Sequence, residues 1–302
     1  MQIRSPNVFL ASPDAGALSS TPMAPIVASR TALGAAAHRA AHQTLEGGRI
    51  FSDPLALAIL GADANTMIAR VTERPEGRLL RLFIAMRSRF AEDCALRSIG
   101  AGVRQVVVLG AGLDTFAYRL EPREGLQVFE LDHPATQRDK RRRLKEAGVC
   151  EPAHVAYVAH DFESGAMAPA LIAAGFDPDR RSFIMWLGVT PYLAEDAVFV
   201  TLSELARFPA GVEIVFDYPN PTASISDAAA RASLDELAAR VAELGEPFCC
   251  ALDTETLRAR ARALGFVEAE DHDGGSLAAR YLPHLEGMPS GRGGHVVRMA
   301  TR

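Results

Sequence analysis

Apolar residues recur at helical spacing through much of the first hundred positions of the chain. Between Gly77 and Ile99 they follow the three- and four-residue spacing of an amphipathic helix. The Ala-rich stretch from Pro25 to Gln43 is also helical in pattern, and Asp53-Pro54 is typical of an N-cap and first residue of a short helix ending near Leu60. We therefore expect residues 25–102 to form a helical cap, preceded by a flexible segment over residues 1–24.

The pattern changes after Gly102, where short apolar runs rich in β-branched residues alternate with helical stretches. The predicted strands are Gln105–Leu109, Gln127–Leu131, His154–Ala159, Ser182–Leu187, Glu213–Phe216, Phe266–Ala269 and His295–Met299. The predicted helices are Ala135–Ala147, Ala168–Ala174, Glu195–Phe208, Ser226–Leu244 and Thr254–Leu264. Alternating strands and helices predict βαβ units, and hence an α/β fold with a doubly wound parallel sheet over residues 103–302.

Two segments of this sheet domain depart from the alternation. The last predicted strand follows the Gly-rich stretch Gly287–Gly294 instead of a crossover helix, so we expect it to be an edge strand or an antiparallel one. The helical residues 224–247 form an insertion that is a candidate lid over a substrate.

Composition narrows the class of protein. The 302 residues are 48% hydrophobic, which is enough for a large buried core. A net charge of −5 argues against a general nucleic-acid binder, and no apolar run reaches the roughly 20 residues of a membrane span. Four cysteines without a CxxC pair, together with an N-terminus lacking an apolar signal-peptide core, predict a cytoplasmic protein.

The ends of the first two predicted strands carry a glycine turn and an acid. Gly110 and Gly112 form a GxG turn directly after the first strand, where glycines let a ligand approach the backbone. Asp132 ends the second strand 20 residues after Gly112, which suits hydrogen bonds to two ribose hydroxyls. This combination predicts a cofactor that contains a nucleoside.

The residues after the turn distinguish between two cofactors. A dinucleotide site favours a third glycine, but Thr115 occupies that position and Asp114 precedes it. A carboxylate repels a pyrophosphate and suits a cationic ligand such as S-adenosylmethionine, so a methyltransferase is favoured over a nicotinamide oxidoreductase. At the end of the third strand, Asp161 is a candidate for the adenine amine and Phe162 for the adenine ring.

These segments resemble a known family. VVVLGAGLDTFAYRL, FELDHP, HDF, WLGVTPYL and the upstream AMRSRF are similar to leucine carboxyl methyltransferase-like class I S-adenosylmethionine-dependent methyltransferases, over about Ala36 to Phe216. The resemblance implies a Rossmann-like class I fold and places Arg87 and Arg39 at the carboxylate of the cofactor. It implies that Gly110 and Gly112 line the methionine portion.

One departure from the family pattern bears on the substrate. The protein-phosphatase branch has Glu in the segment aligned with Leu187, and this chain has none there. The resemblance therefore favours the bacterial small-molecule branch, similar to tetracenomycin-type carboxyl methyltransferases of secondary metabolism.

The expected reaction is O-methylation of a small molecule, with a carboxylate slightly favoured over a hydroxyl. A carboxylate is ionised at neutral pH and needs no base, whereas a hydroxyl needs one. Tyr192 and Tyr218, near strand ends, are the catalytic candidates, and Asp217, His133 and His160 are weaker ones. Protein carboxyl methylation, an NAD-dependent oxidoreductase and a catalytically silent cofactor-binding protein remain alternatives.

Partners other than a small acceptor are not indicated. We expect no nucleic acid and no membrane, and the sequence leaves the oligomeric state open. His38 and His42 are four residues apart on a predicted helix, but no acidic or Cys partner accompanies them, so no metal is expected.

Overall fold

The computed structural model describes residues 29–73, 76–162, 165–283 and 293–301. The α-helices are α1 Arg30–Leu45, α2 Ala64–Thr72, α3 Glu76–Gly100, α4 Phe116–Arg119, α5 Pro134–Glu146, α6 Ala168–Ala173, α7 Glu195–Ala206, α8 Ala228–Glu243, α9 Thr254–Leu264 and α10 Gly274–Tyr281. The strands are β1 Gln105–Leu109, β2 Gln127–Asp132, β3 Val155–Ala159, β4 Ser182–Trp186, β5 Val212–Pro219, β6 Glu268–Asp273 and β7 Gly294–Ala300. The predicted N-terminal segment, residues 1–24, lies outside the described residues.

The strands form one seven-stranded sheet in the order β3-β2-β1-β4-β5-β7-β6. Strands β1 to β5 pair in parallel, while β7 is antiparallel to both β5 and β6. The expected doubly wound α/β sheet is confirmed, and so is the antiparallel direction of the last strand. Of the two alternatives for that strand the structure has the antiparallel one, and β7 lies between β5 and β6, not at the edge.

Helix α3 packs against one face of the sheet. Met86 and Phe90 of α3 are fully buried in one apolar cluster with Val106 of β1 and Phe183 of β4. Alternate strand residues point to opposite faces, so Val107, Ile184 and Trp186 pack with α7 in a second cluster on the other side. Helices α1, α2 and α3 lie within the part of the expected helical cap that the structure describes, and α3 shares its core with the strands.

Helix α1 packs against α2 and the 3-10 helix Ala58–Asp63 in a third, smaller apolar cluster. In place of the short helix expected from Asp53-Pro54, a turn leads into this 3-10 helix. The buried carboxylate of Asp53 accepts the Leu55 N–H at 3.1 Å and also hydrogen bonds from Arg39 and Thr115. Helix α8 lies within the segment expected as a lid and is capped by Asp227. Within the residues described, no helix is long and apolar enough to cross a membrane.

Candidate functional site

Two adjoining cavities lie beyond the carboxyl ends of the parallel strands, the position where open α/β sheets bind ligands. The first has a volume of about 350 Å³ and is bordered by the glycine turn after β1, the end of β2, the loop after β4 and parts of α1 and α3. The second has a volume of about 300 Å³ and lies between α1, α3, α8 and the ends of β5 and β7. Both volumes suit small molecules.

The glycine turn forms the floor of the first cavity. Gly110 and Gly112 have φ of 61° and 46°, the left-handed region that favours glycine. A Cβ at Gly110 would lie 2.3 Å from Cγ2 of Val189, and one at Gly112 would lie 3.1 Å from Cβ of Ala32. Larger residues cannot occupy the turn without displacing its neighbours, so the backbone itself forms the surface that a ligand meets.

Asp132 borders the first cavity at the end of β2. Its Oδ2 accepts a hydrogen bond from the Gly112 N–H at 2.6 Å, and its Oδ1 accepts one from the His133 N–H at 2.6 Å. Burial raises the pKa of this carboxyl, while the two amide donors act in the opposite direction. The carboxylate is therefore held in a fixed orientation beside the turn.

The other predicted cofactor contacts differ in their placement. Asp114 borders the first cavity, and its Oδ1 accepts a hydrogen bond from the Phe116 N–H at 2.8 Å at the start of α4. Phe162 also borders this cavity and stacks on Trp186, with ring centroids 6.3 Å apart. Asp161 is exposed and is not one of the described residues that border the cavity, so its adenine contact stays a prediction.

Arg39 borders the first cavity and is paired within the protein. Its Nε lies 3.2 Å from Oδ2 of Asp53, and its Nη2 donates to the carbonyl oxygen of Leu113 at 2.6 Å. Asp53 also accepts a hydrogen bond from the Thr115 hydroxyl at 2.8 Å. This buried pair therefore ties α1 to the residues that follow the glycine turn.

Arg87 lies where the two cavities meet. Thr31, Ala35, Gly188 and Tyr192 border both cavities with it. Arg87 forms an ion pair with the buried carboxylate of Asp217, which also accepts the Gly188 N–H at 2.6 Å. A Cβ at Gly188 would lie 2.8 Å from Nη2 of Arg87, so a larger residue there would displace the guanidinium.

The second cavity is largely apolar and carries a positive rim. Its apolar wall comes mainly from α3, α8 and the loops beside them, with Leu80, Phe83, Leu237 and Phe248 among the side chains. The basic residues that border it are Arg30, Arg87 and Arg240. Among the described residues of its wall the acid is Asp217, which is already paired with Arg87.

The two tyrosines predicted as catalytic are placed differently. Tyr192 borders both cavities, and burial raises its pKa to about 12, so its hydroxyl is a hydrogen-bond donor at neutral pH. Tyr218 borders the second cavity, but its hydroxyl donates to Asp271 at 2.5 Å and lies 3.0 Å from the Thr254 hydroxyl. Tyr218 and Asp217 alternate along β5 and point to opposite faces. The geometry therefore does not support the catalytic role predicted for Tyr218.

Comparison with known proteins gives the family. The model of the leucine carboxyl methyltransferase family matches residues 32–206, more than half of the chain. This chain belongs to the leucine carboxyl methyltransferase family.

Relatives and solved structures agree with this membership. A Bacillus subtilis (strain 168) protein with the provisional name S-adenosyl-L-methionine-dependent methyltransferase YktD is 38% identical over 45% of this chain and 45% of its own length. The match thus spans less than half of that relative. A Mycolicibacterium paratuberculosis (strain ATCC BAA-968 / K-10) protein with the same provisional description is 34% identical over 71% of this chain and 70% of its own. The crystal structure of the CurJ carbon methyltransferase superimposes with a TM-score of 0.50 at 17% identity, covering 90% of this chain and 67% of that one, and shows the same class I fold.

In this member of the leucine carboxyl methyltransferase family, one histidine that borders the second cavity is not part of any sequence motif. His38 on α1 borders the second cavity and is only 8% exposed, and its Nδ1 has no hydrogen-bond partner among the residues described. Burial, together with the nearby charges of Arg81, Arg240 and Arg87, lowers its pKa to about 4. The imidazole is therefore neutral at physiological pH.

The neighbouring histidine has a structural role. His42 lies 3.1 Å from Glu46 through Nδ1, and its Nε2 accepts the Ile50 N–H at 3.3 Å. In the part of the chain that the structure describes, no group of three or more His, Cys, Asp or Glu side chains could hold a metal ion. The i, i+4 spacing of His38 and His42 was the only sequence signal that pointed to His38.

Glu246, just after α8, is a further residue that sequence reasoning missed. Its carboxylate accepts hydrogen bonds from the backbone N–H groups of Arg30 at 2.7 Å and Thr31 at 3.1 Å, and from the hydroxyl of Ser29 at 3.1 Å. Glu246 borders the first cavity. It connects the segment expected as a lid to the start of α1 at the border of this cavity.

Proposed function

We propose that this chain is an S-adenosylmethionine-dependent O-methyltransferase that converts a small, largely apolar carboxylic acid to its methyl ester. Membership of the leucine carboxyl methyltransferase family and the names of the relatives support methyl transfer from this cofactor. The observation that carries the choice of acceptor is the junction of the first cavity with an apolar, arginine-rimmed one at Arg87, Gly188 and Tyr192.

The residues of the first cavity fit S-adenosylmethionine. The turn at Gly110 and Gly112 leaves no room for side chains, so a ligand can lie directly on the backbone. The fixed carboxylate of Asp132 suits ribose hydroxyls, Phe162 offers a ring face to adenine, and Asp114 suits an ammonium group. When bound, the cofactor supplies a methyl group: the acceptor oxygen bonds to the methyl carbon while the carbon–sulfur bond breaks, and its electron pair stays on the sulfur of S-adenosylhomocysteine.

The side chains at the junction suit a carboxylate acceptor. A carboxylate is ionised at neutral pH, so its methylation requires positioning and no base. Asp217 is occupied by Arg87 and the Gly188 N–H, and the protonated hydroxyl of Tyr192 can donate a hydrogen bond to the acceptor. Arg87, which borders both cavities, can hold the carboxylate of the cofactor and add positive charge beside the acceptor.

The size and charge of the second cavity also bear on the alternatives. A volume of about 300 Å³ and a positive rim favour a small acid over a neutral alcohol. A hydroxyl acceptor would need a base, and the pKa of His38, at about 4, makes its imidazole a weak one. A protein acceptor stays the weaker proposal.

The test compares matched acceptors. The purified chain is incubated with S-adenosylmethionine and either 2-naphthoic acid, 2-naphthol, dodecanoic acid or 1-dodecanol, and S-adenosylhomocysteine is quantified by chromatography. We expect turnover with the acids and a methylated product that mild alkali hydrolyses, as an ester requires. Turnover with 2-naphthol but not with the acids would contradict a carboxylate acceptor. Cofactor binding without turnover of any acceptor would favour a silent cofactor-binding protein.

A further inference from the structure

A buried acid outside both cavities holds one of the arginines of the first cavity. Asp53 borders neither cavity among the described residues, and its side chain is fully buried. Its Oδ1 accepts the Thr115 hydroxyl at 2.8 Å and the Leu55 N–H at 3.1 Å, which holds the carboxylate in one orientation. Its Oδ2 accepts the hydrogen bond from Nε of Arg39 at 3.2 Å. One oxygen of Asp53 is thus fixed by the chain, and the other is directed at Arg39.

The guanidinium of Arg39 retains donors for a ligand. Its Nε donates to Asp53, and its Nη2 donates to the Leu113 carbonyl oxygen at 2.6 Å. Within the described part of the chain Nη1 has no hydrogen-bond partner, yet it is not one of the buried side-chain atoms that lack one, so it is accessible. Because Arg39 borders the first cavity, the two N–H groups of Nη1 are available to an oxygen acceptor of a ligand there.

The neighbours of Arg39 indicate which group of the ligand it meets. The contact with the Leu113 carbonyl brings Arg39 close to Asp114, the next residue, and all three residues border the first cavity. A guanidinium beside a carboxylate is complementary to the two charged groups of an α-amino acid, which is the end of S-adenosylmethionine opposite to its nucleoside. Arg39 is therefore suited to the carboxylate of the cofactor.

Asp53 lowers the free-energy cost of using Arg39 in this way. An arginine side chain without a partner populates several rotamers, and ordering them when a ligand binds opposes binding. The hydrogen bond from Nε to Asp53 orders the guanidinium before the ligand enters. An apolar residue at position 53 would avoid the burial of a carboxylate but would leave Arg39 without this partner.

We propose that Asp53 is a positioning residue, which acts through Arg39 to hold a guanidinium against the carboxylate of S-adenosylmethionine. The inference rests on the proposed function for the place of the cofactor in the first cavity, and it does not depend on the acceptor. In the proposed function Arg87 serves the same carboxylate. Loss of Asp53 should therefore weaken the recognition of this group without abolishing it.

The experiment compares two ligands that differ in one group. S-adenosylhomocysteine and its decarboxylated analogue, in which hydrogen replaces the carboxylate, are titrated into the full chain by calorimetry. The variants are Asp53→Asn, which keeps the size of the side chain and removes its charge, Arg39→Met, and the double variant. The control is Glu92→Gln, since Glu92 is a buried acid that borders neither cavity among the described residues. Its partner Arg119 also lies 3.5 Å from Asp53, so the control disturbs the same group of buried charges.

We expect the wild type to bind S-adenosylhomocysteine about 100-fold more tightly than the analogue. Asp53→Asn should lower this preference about tenfold, through weaker binding of S-adenosylhomocysteine and not of the analogue. Arg39→Met should lower the preference at least as much, and adding Asp53→Asn to it should lower the preference no further, because Asp53 acts through Arg39. Glu92→Gln should keep the preference of the wild type.

Two results would overturn the inference. One is that Asp53→Asn weakens both ligands equally, as a purely structural role requires. The other is that Arg39→Met keeps the full preference, since Asp53 would then have no carboxylate contact to support. If Asp53→Asn does not fold, Asp53→Ser takes its place with the same expected result, because a serine hydroxyl can accept the Leu55 N–H as the aspartate does.

Failure of the proposed acceptor gives a different result. If no acid is methylated while the preference for S-adenosylhomocysteine depends on Asp53 and Arg39, the proposed acceptor is wrong and the positioning role stands. If acids are methylated but the wild type does not prefer S-adenosylhomocysteine to its analogue, the proposed reaction stands and the positioning role is wrong.

Discussion

The two cavities differ in how the protein treats their polar groups. Around the first cavity these groups are already satisfied: Asp132 by two backbone N–H groups, Arg39 by Asp53 and Leu113, and Asp114 by Phe116. Among the described residues, Nδ1 of His38 and Nε of Arg240 at the second cavity have no hydrogen-bond partner, and neither has Nε of Arg87, which borders both cavities. Asp132, Arg39 and Asp114 are therefore held in place by partners within the protein, whereas Nδ1 of His38 and Nε of Arg240 are not.

In the proposed function the first cavity binds the cofactor and the second binds the acceptor. A pre-organised site spends little free energy on ordering side chains when the ligand enters. A site with unpaired donors gains selectivity, because a molecule that lacks the matching oxygens leaves the donors buried and unsatisfied. Variants in the first cavity should therefore affect cofactor affinity, and variants in the second should affect the choice of acceptor.

The largest effect is expected for Asp132→Ala. Removing the carboxylate that we propose binds two ribose hydroxyls should weaken S-adenosylmethionine binding at least about 1000-fold, or about 4 kcal/mol, as measured by calorimetry. The matched control is Glu151→Ala, since Glu151 is an exposed acid whose carboxylate pairs with Arg141. Unchanged cofactor affinity in Asp132→Ala would remove Asp132 from the cofactor site.

The next largest effect is expected for Gly188→Ala at the junction of the cavities. The Cβ of alanine would lie 2.8 Å from Nη2 of Arg87 at a φ of 71°, so the guanidinium must move away from the junction of the two cavities. A displacement of about 1 Å there should lower kcat/KM on the order of 100-fold.

Gly125→Ala separates this effect from backbone strain. Gly125 has a φ of 69°, but no described atom lies within 4 Å of the Cβ that alanine would add. Both variants should lose a similar amount of stability in thermal unfolding, about 1 kcal/mol. If the two variants lose equal amounts of activity, the effect of Gly188→Ala comes from backbone strain and not from displacement of Arg87.

The sequence predicts the pre-organised cavity well because its parts are close together along the chain. Gly110, Gly112 and Asp132 lie at the ends of consecutive strands, and the apolar runs of β1, β2 and β4 mark those strands. The predicted family and class of fold are confirmed. The polar strand β6 begins later than expected, and α10 was not predicted, because strand pairing with β7 sets the position of β6 and apolar periodicity does not.

The sequence motifs do not predict the second cavity. His38 on α1 and Arg240 on α8 are about 200 residues apart, and only the tertiary structure brings them to one cavity. The partner of Arg87, Asp217, is 130 positions away on β5. Along the sequence each of these residues resembles an ordinary polar position on a helix or strand end.

An intermediate effect is expected for Arg240→Met, which keeps the length of the side chain and removes its charge. The KM for an acid such as 2-naphthoic acid should rise about tenfold through the loss of one donor and one positive charge, while cofactor affinity stays unchanged. Arg258→Met is the control, because Arg258 also has a buried Nε without a partner among described residues but does not border either cavity there. A similar rise in KM for both variants would contradict a specific role of Arg240 in the second cavity.

The smallest effect concerns stability at acidic pH. The pKa of His38 falls from about 6.5 in the unfolded chain to about 4 in the fold, so between these values the unfolded state binds the extra proton. The contribution of the neutral His38 side chain to the free energy of unfolding is therefore complete above about pH 6.5, and it is lost as the pH falls towards 4. At pH 5.5 the loss is about 1 kcal/mol. His38→Leu and His38→Asn should both lack it, so their free energies of unfolding, measured by urea denaturation at pH 8 and pH 5.5, should decline less than that of the wild type. Because the two replacements pack differently but neither titrates, a smaller decline in only one of them would point to packing and not to a neutral, buried imidazole in the acceptor cavity.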